Sequence, residues 1–260
     1  MKVFLTGATG FIGGHLLTSL LEAGAEVRCL TRAESHLRNL QGLEVEVFTG
    51  DLRDESSFRS GLEDCEMAFH CAADYRLYSA NPDELYESNV EGTRNLMRAA
   101  SACGVKRVVY TSSVGALGLN PDGTPADEDT PVTLDDMVGH YKRSKFLAER
   151  VADEWVEKGL PIVIVNPSTP VGEADLKPTA TGQMIVDFLN RKTPAYVDTG
   201  LNLVDVHDVA LGHVRAAERG RIGEKYILGN RNMSLREIFQ TLGELTGLPA
   251  PKVQVPHWIP

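Results

Sequence analysis

The chain has 260 residues, 42% of them hydrophobic and 24% charged, which suits one large domain or a domain with a smaller lobe. Lys plus Arg is 26 and Asp plus Glu is 36, so the formal net charge is −10. An acidic surface of this kind disfavours nonspecific binding to nucleic acid or to an anionic membrane, while leaving room for a local basic pocket. The 24 Gly and 13 Pro form no repetitive stretch, which excludes collagen-like and low-complexity chains. The cysteines, at 29, 65, 71 and 103, have neither metal nor redox spacing and read as reduced structural thiols. The apolar start at Met1 is broken by Thr6-Gly7, and no stretch approaches the roughly 20 apolar residues of a membrane span. A soluble cytoplasmic protein is expected.

In chain order, residues 2–6 form a short apolar strand, followed by glycines and a helix over 11–23 that Gly24 stops. Residues 26–31 and 44–49 read as the next two strands, and 67–71 and 107–111 as two more, with one long helix between them that Gly104 closes. A second long helix covers 141–157. The aliphatic run 162–165, between Pro161 and Pro167, predicts a strand buried on both faces, as parallel sheets require. This alternation predicts an α/β fold, a doubly wound parallel sheet. Beyond 167 the segments shorten and prolines accumulate, so 1–167 is read as the dinucleotide-binding domain and 168–260 as mainly a smaller C-terminal substrate lobe, some of it returning to the main sheet. Ser234-Leu-Arg-Glu237 predicts a capping box and Gly247 a helix end. Ending on Trp258-Ile-Pro260 is unusual for a free terminus, and a lobe that continues further is expected.

The first βα turn carries Gly7-Ala-Thr-Gly10-Phe-Ile-Gly13. Gly7 permits a sharp turn, Gly10 a close approach of backbone to a pyrophosphate, and Gly13 tight packing of helix on strand, with the helix N-terminus facing the phosphates. Gly7, Thr9, Gly10, Phe11 and Ile12 are therefore candidate cofactor contacts. Three glycines alone also fit a plain tight turn; the strand before and helix after them favour the dinucleotide. Where an NAD site usually carries Asp or Glu at the end of the second strand, this chain has Cys29-Leu-Thr-Arg32. Arg32 there can take a 2′-phosphate in bidentate fashion, with Ser35 and Arg38 as helpers, which points to NADP(H); a solvated loop arginine is the alternative. Asp51 and Leu52, past the third strand, are placed at the adenine edge, although Asp51 or Asp54 would equally cap a helix. Ala72 and Ala73, after the fourth strand, are small enough for the cofactor to lie close.

Tyr141 and Lys145 lie one helical turn apart on one face, just after Tyr110-Thr-Ser-Ser113 at a strand's carboxyl end. Free tyrosine has a pKa of about 10, and a neighbouring ammonium is expected to lower it. A strand-end serine can hold a substrate oxygen beside the phenol.

With the glycine loop, Asp51-Leu52, Asn89-Val-Glu-Gly-Thr93, Ser113, Tyr141, Lys145 and Asn166-Pro167, the chain resembles an extended short-chain dehydrogenase/reductase of the NAD-dependent epimerase/dehydratase family. Three longer stretches are similar to the hopanoid-associated sugar epimerases, a dihydroflavonol-reductase-like group: 72–77, 139–149, and 166–172 with 195–200. The resemblance implies that Tyr141 is the acid/base, that Lys145 holds the nicotinamide ribose and tunes Tyr141, and that Ser113 orients the carbonyl or hydroxyl, with Ser112 as the second choice. It implies that Pro167 lies near the nicotinamide, and that two subunits pair through residues 84–103 and 141–157 into a homodimer. Asn89 matches a family asparagine, although a structural hydrogen bond is the better reading.

Two departures bear on the reaction. Ser113-Val-Gly115 lacks the Thr-Asp-Glu of sugar dehydratases, and Ser113 to Gly118 lacks the Tyr-Gly common in nucleotide-sugar epimerases. Both favour simple reduction of a ketone or aldehyde over a sugar epimerase; a non-catalytic NADP-binding regulator is the third reading. The partner expected is a small carbonyl or sugar substrate. No histidine shows metal-ligand spacing, so no metal is expected. His140 either lines the mouth of the site or is simply exposed, and Asp74, Tyr75 and Arg76 either face substrate or form a bare loop.

Overall fold

Seven short strands align in one parallel sheet. They are β1 (Lys2–Thr6), β2 (Glu26–Thr31), β3 (Glu46–Thr49), β4 (Met67–His70), β5 (Arg107–Thr111), β6 (Ile162–Pro167) and, from the C-terminal part, β10 (Lys225–Leu228). Their order is β10-β6-β5-β4-β1-β2-β3, all pairs parallel. The order reverses at β1, which opens the crevice at the carboxyl edge where ligands bind in doubly wound folds. This is the fold the sequence predicts. The structure, a computed structural model, describes residues 1–76 and 81–256; Leu77 and the terminal Trp258-Ile-Pro260 lie outside the described residues.

The period of two sorts the strand residues between two cores. Phe4, Val108, Tyr110, Ile162 and Ile164 face α3 (Gly92–Ala102) and α4 (His140–Glu157), whose Leu96, Met97, Ala148 and Val151 complete one core. Val3, Leu5, Val109, Val163 and Val165 face the other side, against Leu16 and Leu17 of α1 (Phe11–Glu22) and Ala210 and Ala217 of α6 (Val206–Arg219). Every residue of β6 is buried, as its aliphatic run predicts.

Several predicted bounds shift by a residue or two, and one long helix is built differently. The third strand begins at Glu46 instead of 44, at the sheet edge, where it pairs with β2 alone. The long helix predicted across 84–103 is α2 (Asp83–Tyr86), a π-turn (Glu87–Glu91) and α3. Asn89 and Val90 are buried within the wider turn.

The remaining chain forms a three-stranded sheet, β11 (Arg231–Ser234), β9 (Gly200–Asp205) and β7 (Thr169–Val171), and a pair of β12 (Val253–Val255) with β8 (Ala195–Val197). Two helices, α5 (Ala180–Leu189) and α7 (Leu235–Thr246), pack Phe188 and Phe239 around Tyr196 in a separate small core. The predicted capping box opens α7: Ser234 accepts from the Glu237 amide, Glu237 accepts from the Ser234 amide, and Gly247 ends the helix at φ 71°. Among the described residues no helix is long and apolar enough to cross a membrane.

Candidate functional site

The glycine loop leaves β1 at Thr6. Gly7 adopts φ 84° and lies so close to the fourth strand's exit that a Cβ would stand 2.6 Å from the Ala72 nitrogen. A Cβ on Gly13 would stand 2.0 Å from the Gly7 carbonyl oxygen, so helix and loop touch backbone to backbone. Gly10 caps α1 with no side-chain hydrogen bond, and the first turn holds no acidic residue. The helix's leading N–H groups are thus left to an anion, at the positive end of its dipole. Thr6 Oγ1 accepts from the Ala72 amide at 3.1 Å, tying the two strand ends together. Asn39 supports the loop from outside, its side-chain amide donating to the Thr9 and Gly10 carbonyls at 3.3 and 3.2 Å. Asn39 sits in a short 3₁₀ turn, Arg38–Leu40, before β3, and no local pattern marks it.

At the ends of β2 and β3 the charges are mixed. Arg32 is 62% exposed and its Nε lies 3.4 Å from Glu34. No carboxylate occupies 29–33, as the sequence shows, but Glu34 approaches Arg32 from the turn. Asp51 is held by Arg53, an unanticipated partner whose Nη2 lies 2.6 Å away, and this hydrogen bond keeps the Asp51 carboxyl below its ordinary range. Asp54, not Asp51, caps a short helix, accepting from the Ser56 amide. Leu52 packs against Gly92 and the main core. Ala73 is exposed at the same edge, while Pro167 is buried at the end of β6.

Ser112 and Ser113 are the first two residues beyond β5, and the Ser112 hydroxyl is buried and spent, donating to Glu149. Ser113 Oγ accepts from the Gly115 amide at 3.0 Å and also reaches Tyr141. Burial pushes the Tyr141 phenol above its ordinary value, and the Ser113 hydrogen bond works against that shift. Lys145, 3% exposed, donates to the Thr111 carbonyl at 2.8 Å and the Tyr110 hydroxyl at 3.4 Å instead of to Tyr141. The expected lowering of the phenol by the ammonium is therefore not what this geometry produces; Lys145 is turned inward along β5. Burial lowers Lys145 itself to about 8, partly opposed by Cys71 and Glu149.

Asn89 does what a structural asparagine does. It accepts from the Asp74 amide at 2.7 Å and donates to the Asp74 carbonyl and to Ser144 Oγ, both at 2.9 Å, fixing the loop after β4 to α4. In that loop Arg76 closes on Asp74 and Glu84, and Tyr75 reaches the Lys177 carbonyl at 3.4 Å. His140 lies exposed, with Nδ1 3.0 Å from the Tyr86 hydroxyl. His70 lies between Thr6 and Thr93, and His213 between Thr111 and the Val209 carbonyl. His15 and His207 meet edge to face, their ring centroids 4.6 Å apart.

A parallel sheet with a glycine loop on its first turn and a tyrosine helix against its fifth strand is the architecture of the extended short-chain dehydrogenase/reductases. Within that class the chain belongs to the NAD dependent epimerase/dehydratase family, which residues 3–229 match and whose members work with a nicotinamide dinucleotide. It is 49% identical to a putative dihydroflavonol 4-reductase of Synechocystis sp., over 99% of this chain and 76% of that one. It is 31% identical to cinnamoyl-CoA reductase 1 of Petunia hybrida, over 93% and 76%. The crystal structure of gox2253 superimposes with a TM-score of 0.95 at 48% identity, covering 98% of this chain and 78% of that one. PA4631, a nucleoside-diphosphate-sugar epimerase from Pseudomonas aeruginosa, superimposes at 0.87 with 28% identity, covering 99% and 81%.

Proposed function

We propose that the protein is an NADP(H)-dependent reductase of ketones or aldehydes with Tyr141 as proton donor. The observation that carries this reading is the side-chain hydrogen bond between Ser113 and Tyr141 just past the carboxyl end of β5. The residues present fit a dinucleotide: the cradle at Gly7 and Gly13 has room for backbone only, and α1 opens without a side-chain cap. Gly7, Thr9, Gly10, Phe11 and Ile12 would hold the pyrophosphate. Arg32 would take the 2′-phosphate, Asp51 and Leu52 the adenine side, Ala72 and Ala73 the body of the cofactor, and Lys145 and Pro167 the nicotinamide end.

When bound, the reduced nicotinamide supplies a hydride to the carbonyl carbon. Ser113 and Tyr141 hold the carbonyl oxygen by donated hydrogen bonds that strengthen as negative charge grows there. Tyr141 then gives up its phenolic proton to that oxygen. Burial of the phenol keeps this proton in place until the oxyanion develops, which suits a donor in the reductive direction. The names of the reductase relatives support the same direction.

The test is NADPH oxidation by the purified protein over a panel of ketones, aldehydes, aryl-CoA thioesters and nucleotide sugars. Turnover of a carbonyl compound with exchangeable cofactor is expected. Cofactor that survives purification, with interconversion of nucleotide sugars and no net NADPH use, would favour the epimerase reading that the likeness to PA4631 supports. Pairing through 84–103 and 141–157 is part of the proposal, and sedimentation as a monomer at micromolar concentration would refute it.

A further inference from the structure

The reaction just described leaves one fully buried acid unexplained. Glu149 lies on α4 one turn beyond Lys145 and has no solvent exposure. Its Oε2 accepts from the Ser112 hydroxyl and from Asn166 Nδ2 at 2.9 Å; its Oε1 accepts from Lys225 Nζ at 2.6 Å and Arg150 Nη2 at 3.2 Å. The Asn166 amide also donates to the Ser113 carbonyl at 3.0 Å. One carboxylate thus gathers the ends of β5 and β6, the strand β10 and the helix α4.

We infer that Glu149 is a positioning residue, which sets Ser113 and Lys145 relative to one another; the inference rests on the reductase reading above. Two of its four donors bracket Ser113: Ser112 precedes it in the chain, and Asn166 holds its carbonyl. A buried ionic cluster is weak evidence of stabilisation, since well-packed apolar residues commonly do as well or better. A purely structural role therefore accounts poorly for an acid at this position. Its charge also faces Lys145. The titratable groups around Lys145 are His70 at the end of β4 and Cys71 just past it, Tyr110 from β5, and Tyr141 and Glu149 from α4 itself. Those around Glu149 are Tyr110 from β5, Lys225 from β10, and Lys145, Arg150 and Asp153 from α4. Of these, Glu149 and Cys71 favour the protonated lysine, against burial.

The experiment compares Glu149→Gln, Glu149→Asp and Ser112→Ala with the wild type. Three readouts are taken: the Lys145 side-chain titration by NMR in the chain alone, kcat for NADPH-linked carbonyl reduction at pH 6.5 and 8.5, and the thermal midpoint. Glu149→Gln removes the charge, so the Lys145 titration should move to lower pH by about half a unit or more. Its kcat should fall about tenfold, with the deeper loss at pH 8.5. Glu149→Asp should recover part of both. Ser112→Ala keeps the acid, so it should lower kcat without moving the Lys145 titration. The inference is overturned if Glu149→Gln changes only the thermal midpoint, leaving the titration and the pH profile as in the wild type. If that variant does not fold, Ser112→Ala with kcat within twofold of the wild type overturns it instead. Should the wild type reduce no carbonyl compound, the reductase reading fails by itself, and the titration still decides whether Glu149 acts on Lys145.

Discussion

Lys145→Met should separate stability from function at this site. Burial lowers the Lys145 ammonium from an ordinary 10.5 to about 8. At about 1.4 kcal/mol per pH unit, holding the charged lysine there costs the fold about 3 kcal/mol at neutral pH. The sign follows from proton counts. Between pH 8 and 10.5 the unfolded chain carries a proton on this lysine that the folded chain has released, so stability from this group rises with pH through that window and is lost as pH falls back through 8. Methionine fills a similar volume without charge, but it leaves the Thr111 carbonyl without its donor, at a cost of about 1–3 kcal/mol. The net at pH 7 is a variant about as stable as the wild type or up to about 2 kcal/mol more so. The sharper readout is the pH dependence. Urea denaturation of both proteins at pH 7 and 9.5 should show the stability difference moving in favour of the wild type by about 2 kcal/mol. A difference that does not change with pH would refute the reasoning, whatever its size. The same variant should lose NADPH affinity, because Lys145 is assigned to the nicotinamide ribose.

Three further outcomes are expected. Tyr141→Phe keeps the ring and removes the proton, so kcat should fall about 10²–10⁴-fold with NADPH affinity nearly unchanged; retention of more than about a tenth of kcat, with chemistry rate-limiting, would discard Tyr141 as the acid. Arg32→Ala should weaken NADPH by about 1.5–3 kcal/mol in titration calorimetry and leave NADH untouched, and an unchanged NADPH-to-NADH ratio would remove the 2′-phosphate assignment. Burial holds His70 at about 3 and His213 at about 4, against an ordinary 6.5. The unfolded chain therefore takes up protons that the folded chain refuses as pH drops below 6.5, and each histidine should cost up to about 1.4 kcal/mol per pH unit down to pH 4. Denaturation curves at pH 6.5 and 5 measure this, and His213→Gln should make the loss shallower.

The strands and the glycine loop were legible because their signals are local. A run such as 162–165 needs burial on both faces wherever it lies, and the order strand, Gly7, Gly10, Gly13, helix admits few other uses. The pairing of Tyr141 with Lys145 was legible for the same reason, since helical spacing alone puts them on one face. What Lys145 touches is another matter. Its ammonium goes to Thr111 and Tyr110 because β5 runs beneath α4, a contact between segments more than thirty residues apart that no periodicity encodes. Asn39 beneath the glycine loop, Arg53 on Asp51 and the four donors around Glu149 are likewise products of packing. The choice between Ser112 and Ser113 shows the division most plainly. The sequence places both hydroxyls at the end of one strand, and the alternation of a strand sends them to opposite sides. Only the position of Glu149 in the folded chain spends Ser112 and leaves Ser113 beside Tyr141, because a buried carboxylate must find donors wherever the packing brings them.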